Sequence, residues 1–159
     1  MIITGGSEKG RKVKTTKSKE IRPTSSKVRQ SIFNIIQSID KLYPDMVMLD
    51  LFAGSGIVGI EALSRGIKQV VFVEKNPNAV KILRENLSNF DFNYELIFSD
   101  ALAVLEELQN QVFDIIFIDP PYASGLIEPV LEKIRNNNFL AEPNGIIIVE
   151  HSQDYKINK

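Results

Sequence analysis

The sequence of 159 residues has no cysteine and only one histidine, His151. Without cysteine the chain can form no disulfide, no thiolate metal site and no thiolate nucleophile. A single histidine argues in the same way against a multi-histidine metal centre and against a Ser-His-Asp triad. We therefore expect no metal, and any chemistry must use carboxylates, backbone groups or a borrowed cofactor.

Long apolar runs are also missing. Segments such as 70–73, 115–118 and 146–149 are apolar throughout, but they are far shorter than the roughly 18 residues of a membrane span. The first ten residues have no apolar stretch of the kind found in signal peptides. We expect a cytoplasmic protein without a membrane partner. The length, with 43% hydrophobic and 25% charged residues, is typical of a single domain, assigned here to residues 1–159.

The net charge of −1 conceals a strongly basic N-terminus. Residues 1–29 contain nine lysines and arginines against two glutamates, a charge of +7, whereas the remaining 130 residues, 30–159, carry −8. A basic arm on an acidic body is typical of a protein that contacts a polyanion, because lysine and arginine release counterions from phosphates. A solvated, disordered tail is the alternative. Ile21 and the turn-like Gly5-Gly6 favour an arm that is partly structured.

The arm and the segment after it carry two local patterns. Residues 2–3 and 12–15 are predicted to form a short hairpin. Residues 25–39 are predicted to form an amphipathic helix, because Pro23 is followed by N-cap candidates and apolar residues recur at helical spacing. The predicted buried stripe of this helix consists of Val28, Ile32, Ile35, Ile36 and Ile39.

Short apolar runs and helical patterns then alternate along the chain. Strands are predicted at 47–51, 70–73, 94–98, 113–118 and 146–149, and helices after the glycines that follow the first strand, from Asn76-Pro77, at 101–108 and at 127–134. Strands that are apolar throughout are buried on both faces, and strands that alternate with helices form parallel sheets. The pattern predicts an α/β fold with a doubly wound, mostly parallel sheet behind a basic hairpin and helix extension.

A glycine-rich segment, Asp50 to Gly56, joins the first strand to the next helix. Glycine lets the backbone turn tightly and approach a ligand, and donors at the helix N-terminus can bind an anionic group. Gly54, Gly56 and Gly59 fit the G-x-G-x-x-G pattern, and Glu74 lies 20 residues beyond Gly54, where a carboxylate would accept both ribose hydroxyls. This spacing alone would suit a dinucleotide, so an NAD-linked oxidoreductase is one interpretation.

Two further carboxylates indicate a different ligand. Asp50 ends the first strand, where it is a poor neighbour for a pyrophosphate but suits a cationic amino group. Asp100 ends the third strand and can accept a hydrogen bond from an adenine amino group. With Glu74, these residues lie at the carboxyl ends of three consecutive strands, where such sheets bind ligands. The alternative is that Asp50 and Asp100 only cap helices.

The tetrapeptide Asp119-Pro120-Pro121-Tyr122 follows the fourth strand. Two prolines fix the backbone and remove two donors, which leaves carbonyl groups and the Asp119 carboxylate facing the ligand. Such acceptors suit the exocyclic amino group of a planar base, on which Tyr122 can stack. A rigid turn with a packed tyrosine is the alternative.

These motifs resemble those of S-adenosylmethionine-dependent methyltransferases that act on exocyclic amino groups, and the chain closely resembles the bacterial 16S ribosomal RNA guanine-N2 methyltransferase family. The resemblance covers residues 2 to about 151 and rests on Ile2-Ile3-x-Gly5-Gly6, Gly10-Arg11-Lys12, Arg22-Pro23-Thr24, Val28-Arg29, 52–56 and 61–66. It implies a Rossmann-like methyltransferase fold. That fold continues with a helix and an antiparallel hairpin after the strand at 146–149, so we expect the C-terminal antiparallel strands to be missing or truncated.

The resemblance also implies a cofactor, S-adenosylmethionine, and a substrate, 16S ribosomal RNA or the assembling small ribosomal subunit. The residues that would bind the cofactor are Asp50, Phe52, Gly54, Gly56, Glu74, Lys75, Asp100 and Ala101. The catalytic residues, which would hold the target guanine, are Asp119, Pro120, Pro121 and Tyr122. The residues expected at the RNA or at the mouth of the site are Arg11, Lys12, Lys14, Arg22, Thr24, Arg29 and Tyr122.

The expected reaction is direct attack of the guanine N2 on the sulfonium methyl group by a monomeric enzyme. The cofactor carries the reactivity, and the protein supplies orientation and electrostatics. Asp119 would take the proton after methyl transfer. Two alternatives stand beside the oxidoreductase: an adenine-N6 methyltransferase, which shares the Asp-Pro-Pro-Tyr motif, and a non-catalytic ribosome-binding relative that keeps the fold.

Overall fold

A computed structural model describes residues 1–15, 24–38, 43–121, 124–141 and 144–156. Its helices are α1 (Ser26–Ser38), α2 (Ile57–Ser64), α3 (Pro77–Leu87), α4 (Ala101–Glu107) and α5 (Ile127–Asn136). Its strands are β1 (Val47–Asp50), β2 (Gln69–Glu74), β3 (Tyr94–Phe98), β4 (Ile115–Ile118) and β5 (Ile146–Val149), and a short 3-10 turn, Tyr43–Asp45, precedes β1. The predicted strands and helices are therefore present, with ends that differ by one or two residues. The largest difference in a strand is at β4, where Phe113 instead bridges Leu140.

The strands form one parallel sheet in the order β3-β2-β1-β4-β5. The chain moves outward from β1 to β3 and then crosses back to β4 and β5 on the other side of β1. All carboxyl ends of the strands therefore lie at one edge, and β1 and β4 flank the point where the strand order reverses, which is where such sheets bind ligands. The predicted doubly wound α/β fold is confirmed.

Apolar side chains cover both faces of this sheet. One cluster joins the N-terminal hairpin, α1, α2 and α3 to residues such as Met48 and Phe72. The other joins α4 and α5 to residues such as Leu49 and Val71. The interior strand β4 is buried along its whole length, as an apolar run predicts. The edge strand β5 is only half-buried, because one of its sides has no neighbouring strand among the described residues.

The N-terminal hairpin belongs to this core. Ile2 pairs with Lys12 in an antiparallel bridge, and the intervening Ile3 and the following Val13 are buried. The side chain of Asn86 on α3 accepts a hydrogen bond from the Lys14 amide at 2.9 Å and donates to the Lys14 carbonyl at 2.9 Å. The predicted hairpin is confirmed, and a disordered tail is excluded for residues 1–15.

Helix α1 buries Ile36, as predicted, but not the whole of the predicted apolar stripe. The residues that it buries are Arg29, Phe33 and Ile36. Val28 and Ile35 are 40% and 62% exposed, so their predicted burial is wrong. The helix presents this side to the core because Arg29 makes a buried ion pair with Glu61, with 3.0 Å between Nε and Oε2. Ile39 lies outside the described residues.

Arg29 links several segments through its buried guanidinium. In addition to its ion pair with Glu61, the guanidinium donates from Nη1 to the Thr24 carbonyl and from Nη2 to the Ile2 carbonyl, each at 2.7 Å. Glu61 also accepts from Arg65 Nη2 at 2.8 Å. The pair thus fixes the hairpin, the start of α1 and α2 against one another.

Replacing Arg29 with methionine should lower the free energy of unfolding by about 3 kcal/mol, because Glu61 would remain a buried charge with one partner fewer. Urea denaturation measures this change. The matched control is Lys27→Met on an exposed position of α1, which should change the stability by less than about 0.5 kcal/mol. Equal unfolding free energies for the wild type and Arg29→Met would contradict the structural role of the pair.

Within the described ranges, no helix is long and apolar enough to cross a membrane. In the same ranges, no group of three or more acidic or histidine side chains is placed to hold a metal ion.

Candidate active site

Carboxylates collect at the carboxyl-terminal edge of the sheet. Asp50 and Glu74 are the last residues of β1 and β2, and Asp119 and Glu150 directly follow β4 and β5. Asp119 and Glu74 each raise the pKa of Asp50 by charge repulsion, so these side chains share one electrostatic environment. An edge of this charge favours a ligand that carries positive charge or many hydrogen-bond donors.

Asp50 is the most perturbed of these groups. Its side chain is buried, and Oδ1 has no hydrogen-bond partner among the described residues. Burial, followed by repulsion from Asp119 and Glu74, raises the pKa of Asp50 to about 8, although backbone hydrogen bonds from Phe52 and Gly59 oppose the shift. A buried carboxylate oxygen without a partner is costly, so it marks a position where a ligand donor can bind. Asp50 is no helix cap, since the N-cap of α2 is Gly56.

The glycines that follow β1 serve different purposes. Gly54 adopts a φ of +56°, its amide donates to Glu74 Oε2 at 2.8 Å, and an added Cβ would have no heavy atom within 4 Å. At Gly56 an added Cβ would lie 2.2 Å from a Leu83 methyl carbon, and at Gly59 it would lie 2.2 Å from the Phe72 ring. Gly56 and Gly59 are therefore needed for packing α2 and its entry turn closely, whereas Gly54 leaves space for a ligand.

Glu74 and Asp100 are held by backbone amides. Glu74 accepts from Gly54 and, through Oε1, from Asn76 at 2.7 Å. Asp100 caps α4 by accepting from the Leu102 amide at 2.9 Å, and it pairs with Lys75 Nζ at 3.1 Å. Burial opposes these contacts, but together they hold the pKa of Asp100 below its usual value. The cap interpretation is thus confirmed for Asp100, and its contact with adenine stays a prediction, as does that of the neighbouring, buried Ala101.

Asp119 and Glu150 meet at one buried hydroxyl. Thr24 Oγ1 donates to Glu150 Oε2 at 2.8 Å and lies 3.5 Å from Asp119 Oδ2. Burial and repulsion from Glu150 raise the pKa of Asp119 to about 7, although the hydrogen bond from Thr24 opposes the shift. Sequence reasoning places Thr24 and Asp119 at the site but misses Glu150. The signal that could have found it is the one used for Asp50 and Glu74, an acidic residue at the carboxyl end of an apolar strand.

An open cleft borders this pair of carboxylates. Its lining includes Pro120, Pro121, Gly125, Glu150 and Tyr155. Pro120 is buried and Pro121 is exposed, so the cleft begins where the rigid proline turn leaves the sheet. The Glu150 carboxylate gives the cleft lining a hydrogen-bond acceptor. Tyr122 and Arg22 lie outside the described residues.

The basic candidates differ in accessibility. Arg29, expected at the RNA or at the mouth of the site, is buried in its pair with Glu61 and so does not contact RNA; it lies behind the site, where it fixes Thr24. Arg11 lies on the hairpin surface, where it pairs with Glu8 and stacks over the Phe90 ring at 4.3 Å. The two remaining candidates on the hairpin, Lys12 and Lys14, are exposed, and Lys14 pairs with Glu85.

This arrangement defines a class of protein. A parallel sheet with a glycine-rich loop after β1 and an acidic residue at the end of β2 is the Rossmann-like, nucleotide-binding arrangement. A family model described as "Conserved hypothetical protein 95" matches residues 1–159, and the chain belongs to that family.

Several proteins similar to this chain have names that state an activity. Ribosomal RNA small subunit methyltransferase D of Haemophilus influenzae is 36% identical over 156 residues, which cover 96% of this chain and 79% of that protein. Its namesake in Buchnera aphidicola is 32% identical over 158 residues, 99% of this chain and 81% of that protein. The solved structure of protein yhhF from Escherichia coli matches with a TM-score of 0.84 at 31% identity, covering 99% of this chain and 85% of that one. The family resemblance and the Rossmann-like methyltransferase fold predicted from the sequence are confirmed.

Proposed function

We propose that this protein transfers a methyl group from S-adenosylmethionine to the exocyclic N2 amino group of a guanine in small-subunit ribosomal RNA. The observation that carries the proposal is the buried carboxylate of Asp50, whose Oδ1 has no partner among the described residues, beside the acceptor pair Asp119 and Glu150. The Asp50 carboxylate suits a cationic cofactor, and the pair of Asp119 and Glu150 suits an amino group that is to be methylated. The names of the relatives supply the kind of RNA.

The chain's residues fit this cofactor. Asp50 offers its free Oδ1 to the cationic amino group of the methionine part. Gly54 leaves open space in the loop that follows Asp50. Glu74 and the pair of Lys75 and Asp100 follow in the order of the ribose and the adenine. A pyrophosphate would meet the same carboxylates, which argues against the NAD-linked oxidoreductase.

The protein's part in the reaction is to orient and to accept protons. When bound, S-adenosylmethionine supplies an electrophilic methyl group on a positively charged sulfur. Asp119 and the Pro120 carbonyl each accept a hydrogen bond from one N–H group of the target amino group. These two hydrogen bonds orient the nitrogen lone pair toward the methyl group. Guanine N2 is a weak nucleophile, and polarising its N–H bonds increases electron density on the nitrogen. Once N2 carries the methyl group it becomes acidic, and Asp119 takes the proton that it loses.

The basic hairpin is expected to bind RNA phosphates. The double variant Arg11→Glu with Lys12→Glu should bind 16S ribosomal RNA about tenfold more weakly at low salt, and the slope of log affinity against log salt should fall by about one to two. Filter binding over a salt titration measures both quantities. Arg135→Glu on α5, on the opposite face of the sheet, makes the same kind of charge reversal at an exposed site and should bind like the wild type. Identical affinities for the wild type and the double variant at every salt concentration would refute the role of the hairpin.

The reaction class is tested by incubating the protein with S-adenosylmethionine labelled in its methyl group. The acceptors are small ribosomal subunits from cells that lack this gene and, separately, double-stranded DNA. The proposal predicts label in ribosomal RNA and none in DNA. Label in DNA alone would overturn it, as would the absence of label from a protein that binds S-adenosylhomocysteine.

A further inference from the structure

We infer that Glu150 accepts the N1–H of the target guanine while Asp119 holds its N2 amino group, which makes Glu150 the residue that distinguishes guanine from adenine. The inference deepens the proposed function and rests on it. It assigns a specificity role to a side chain outside the glycine-rich loop and the Asp-Pro-Pro-Tyr motif.

Glu150 lies beside Asp119 at the edge of the sheet. Glu150 directly follows β5, its amide donates to the Ile118 carbonyl at 2.9 Å, and this bond aligns it beside Asp119 at the end of β4. The two carboxylates contact the same Thr24 hydroxyl, at 2.8 Å and 3.5 Å. Glu150 also lines the open cleft, together with Pro120 and Pro121. A base that brings its amino group to Asp119 therefore brings the neighbouring ring position toward Glu150.

The chemistry of the base edges also supports the inference. Guanine presents two adjacent donors on its Watson–Crick edge, N1–H and N2–H, which match two adjacent carboxylates. Adenine presents its amino group beside N1, an acceptor whose lone pair would face the second carboxylate. Two acceptors that face each other without a proton between them are left unsatisfied, and specificity against the wrong base commonly arises in this way.

The Glu150 carboxylate is held in a fixed orientation. The Thr24 hydroxyl that holds Glu150 is itself buried, and the Thr24 carbonyl accepts from the buried Arg29 at 2.7 Å. Arg29 is in turn fixed by Glu61. Thr24 is thus a positioning residue that keeps the Glu150 carboxylate turned toward Asp119, and an orientation fixed in this way is what discrimination between similar bases requires.

The test replaces one nucleotide in the substrate. Small subunits are reconstituted around a ligated ribosomal RNA that carries, at the nucleotide methylated by the wild type, either guanosine or 2-aminopurine nucleoside. The analogue keeps the amino group but has an acceptor in place of N1–H. The wild type should methylate guanosine about 100-fold faster, and in Glu150→Gln this preference should fall to about tenfold or less, because the glutamine amide can donate to the N1 acceptor.

A binding readout accompanies the rates. The fluorescence of 2-aminopurine reports its capture without methyl transfer, and Glu150→Gln should bind the analogue-containing subunit more tightly than the wild type does. Thr24→Val, which keeps every charge, should also lower the preference for guanosine. Glu132→Gln, an exposed change on α5 away from the cleft lining, should keep the wild-type preference.

The outcomes separate two kinds of failure. If the wild type forms N2-methylguanosine and Glu150→Gln shows the same preference as the wild type, the role of Glu150 is refuted and the proposed function stands. If the wild type forms no N2-methylguanosine, the proposed function fails and the role of Glu150 fails with it.

Discussion

Replacing Asp50 with asparagine should weaken the binding of S-adenosylmethionine about 100-fold and at the same time stabilise the cofactor-free protein. The binding loss is expected because a buried carboxylate that pairs with an amino group contributes strongly where water is excluded. The gain in stability is expected because the same carboxylate is buried without a partner for Oδ1 when no ligand is bound. Isothermal titration calorimetry measures the first effect and urea denaturation the second.

The sign of the stability effect follows from the raised pKa. Folding raises the pKa of Asp50 from 3.8 to about 8, so the folded state favours the protonated form. The contribution of protonated Asp50 to the free energy of unfolding is fully present below about pH 4 and is lost as the pH rises through about 8. At pH 8, Asp50→Asn should therefore be about 2 kcal/mol more stable than the wild type. Asp91→Asn, an exposed change after α3, is the control and should leave both affinity and stability unchanged.

Proton release gives a second readout of the same carboxylate. At pH 7, Asp50 is mostly protonated in the free protein, and pairing with a cationic amino group favours its ionised form. Binding of S-adenosylhomocysteine should therefore release about one proton, measured by calorimetry in buffers of different ionisation enthalpy. 5′-Methylthioadenosine lacks the amino group and should release none. Equal affinity of Asp50→Asn and the wild type for S-adenosylmethionine would contradict this assignment.

Replacing Asp119 with asparagine should reduce methyl transfer about 1,000-fold while the affinity for S-adenosylhomocysteine stays within about threefold of the wild type. Asparagine keeps the shape of the side chain but is neither a charged acceptor nor a base. The variant should therefore orient the target amino group less well and should not remove its proton. Single-turnover transfer to small subunits, with the cofactor saturating, measures the loss.

The pH profile identifies Asp119 as the group responsible. Burial and Glu150 raise the pKa of Asp119 to about 7, and only the ionised form can take the proton that the methylated N2 loses. The wild-type rate should therefore rise with pH through about 7, and the residual rate of Asp119→Asn should lack this rise. Glu150→Gln removes the repelling charge and should move the rise to lower pH. Unchanged transfer by Asp119→Asn would exclude it from the reaction.

Much of the fold could be predicted because apolar strands and helical spacing determine it locally. β4 is apolar throughout and is buried throughout, and Asn76 was recognisable as the cap of α3 from the proline that follows it. Asp50 and Asp119 could be placed at one edge because parallel strands bring their carboxyl ends together. These inferences need only the sequence of the element and the topology of the sheet.

The features that escaped prediction depend on contacts between distant segments. The sequence predicts Arg29 at the RNA or at the mouth of the site, but its partner Glu61 lies 32 residues away on α2, and no periodicity reveals such a buried pair. Gly56 adopts a φ of +81°, as its predicted place in the turn requires, but Gly56 and Gly59 are also required by side chains on other elements, Leu83 and Phe72. Glu150 carried the right signal at the end of a strand, yet only the shared hydroxyl of Thr24 places it beside Asp119.

The identity of the methylated nucleoside tests the central claim most directly. Small subunits from cells lacking this gene are incubated with the protein and methyl-labelled S-adenosylmethionine, and the ribosomal RNA is digested to nucleosides and separated. The arrangement of Asp119 and Glu150 predicts that all of the label elutes as N2-methylguanosine. Label in N6-methyladenosine would contradict the account, since it would show that the paired carboxylates accept adenine.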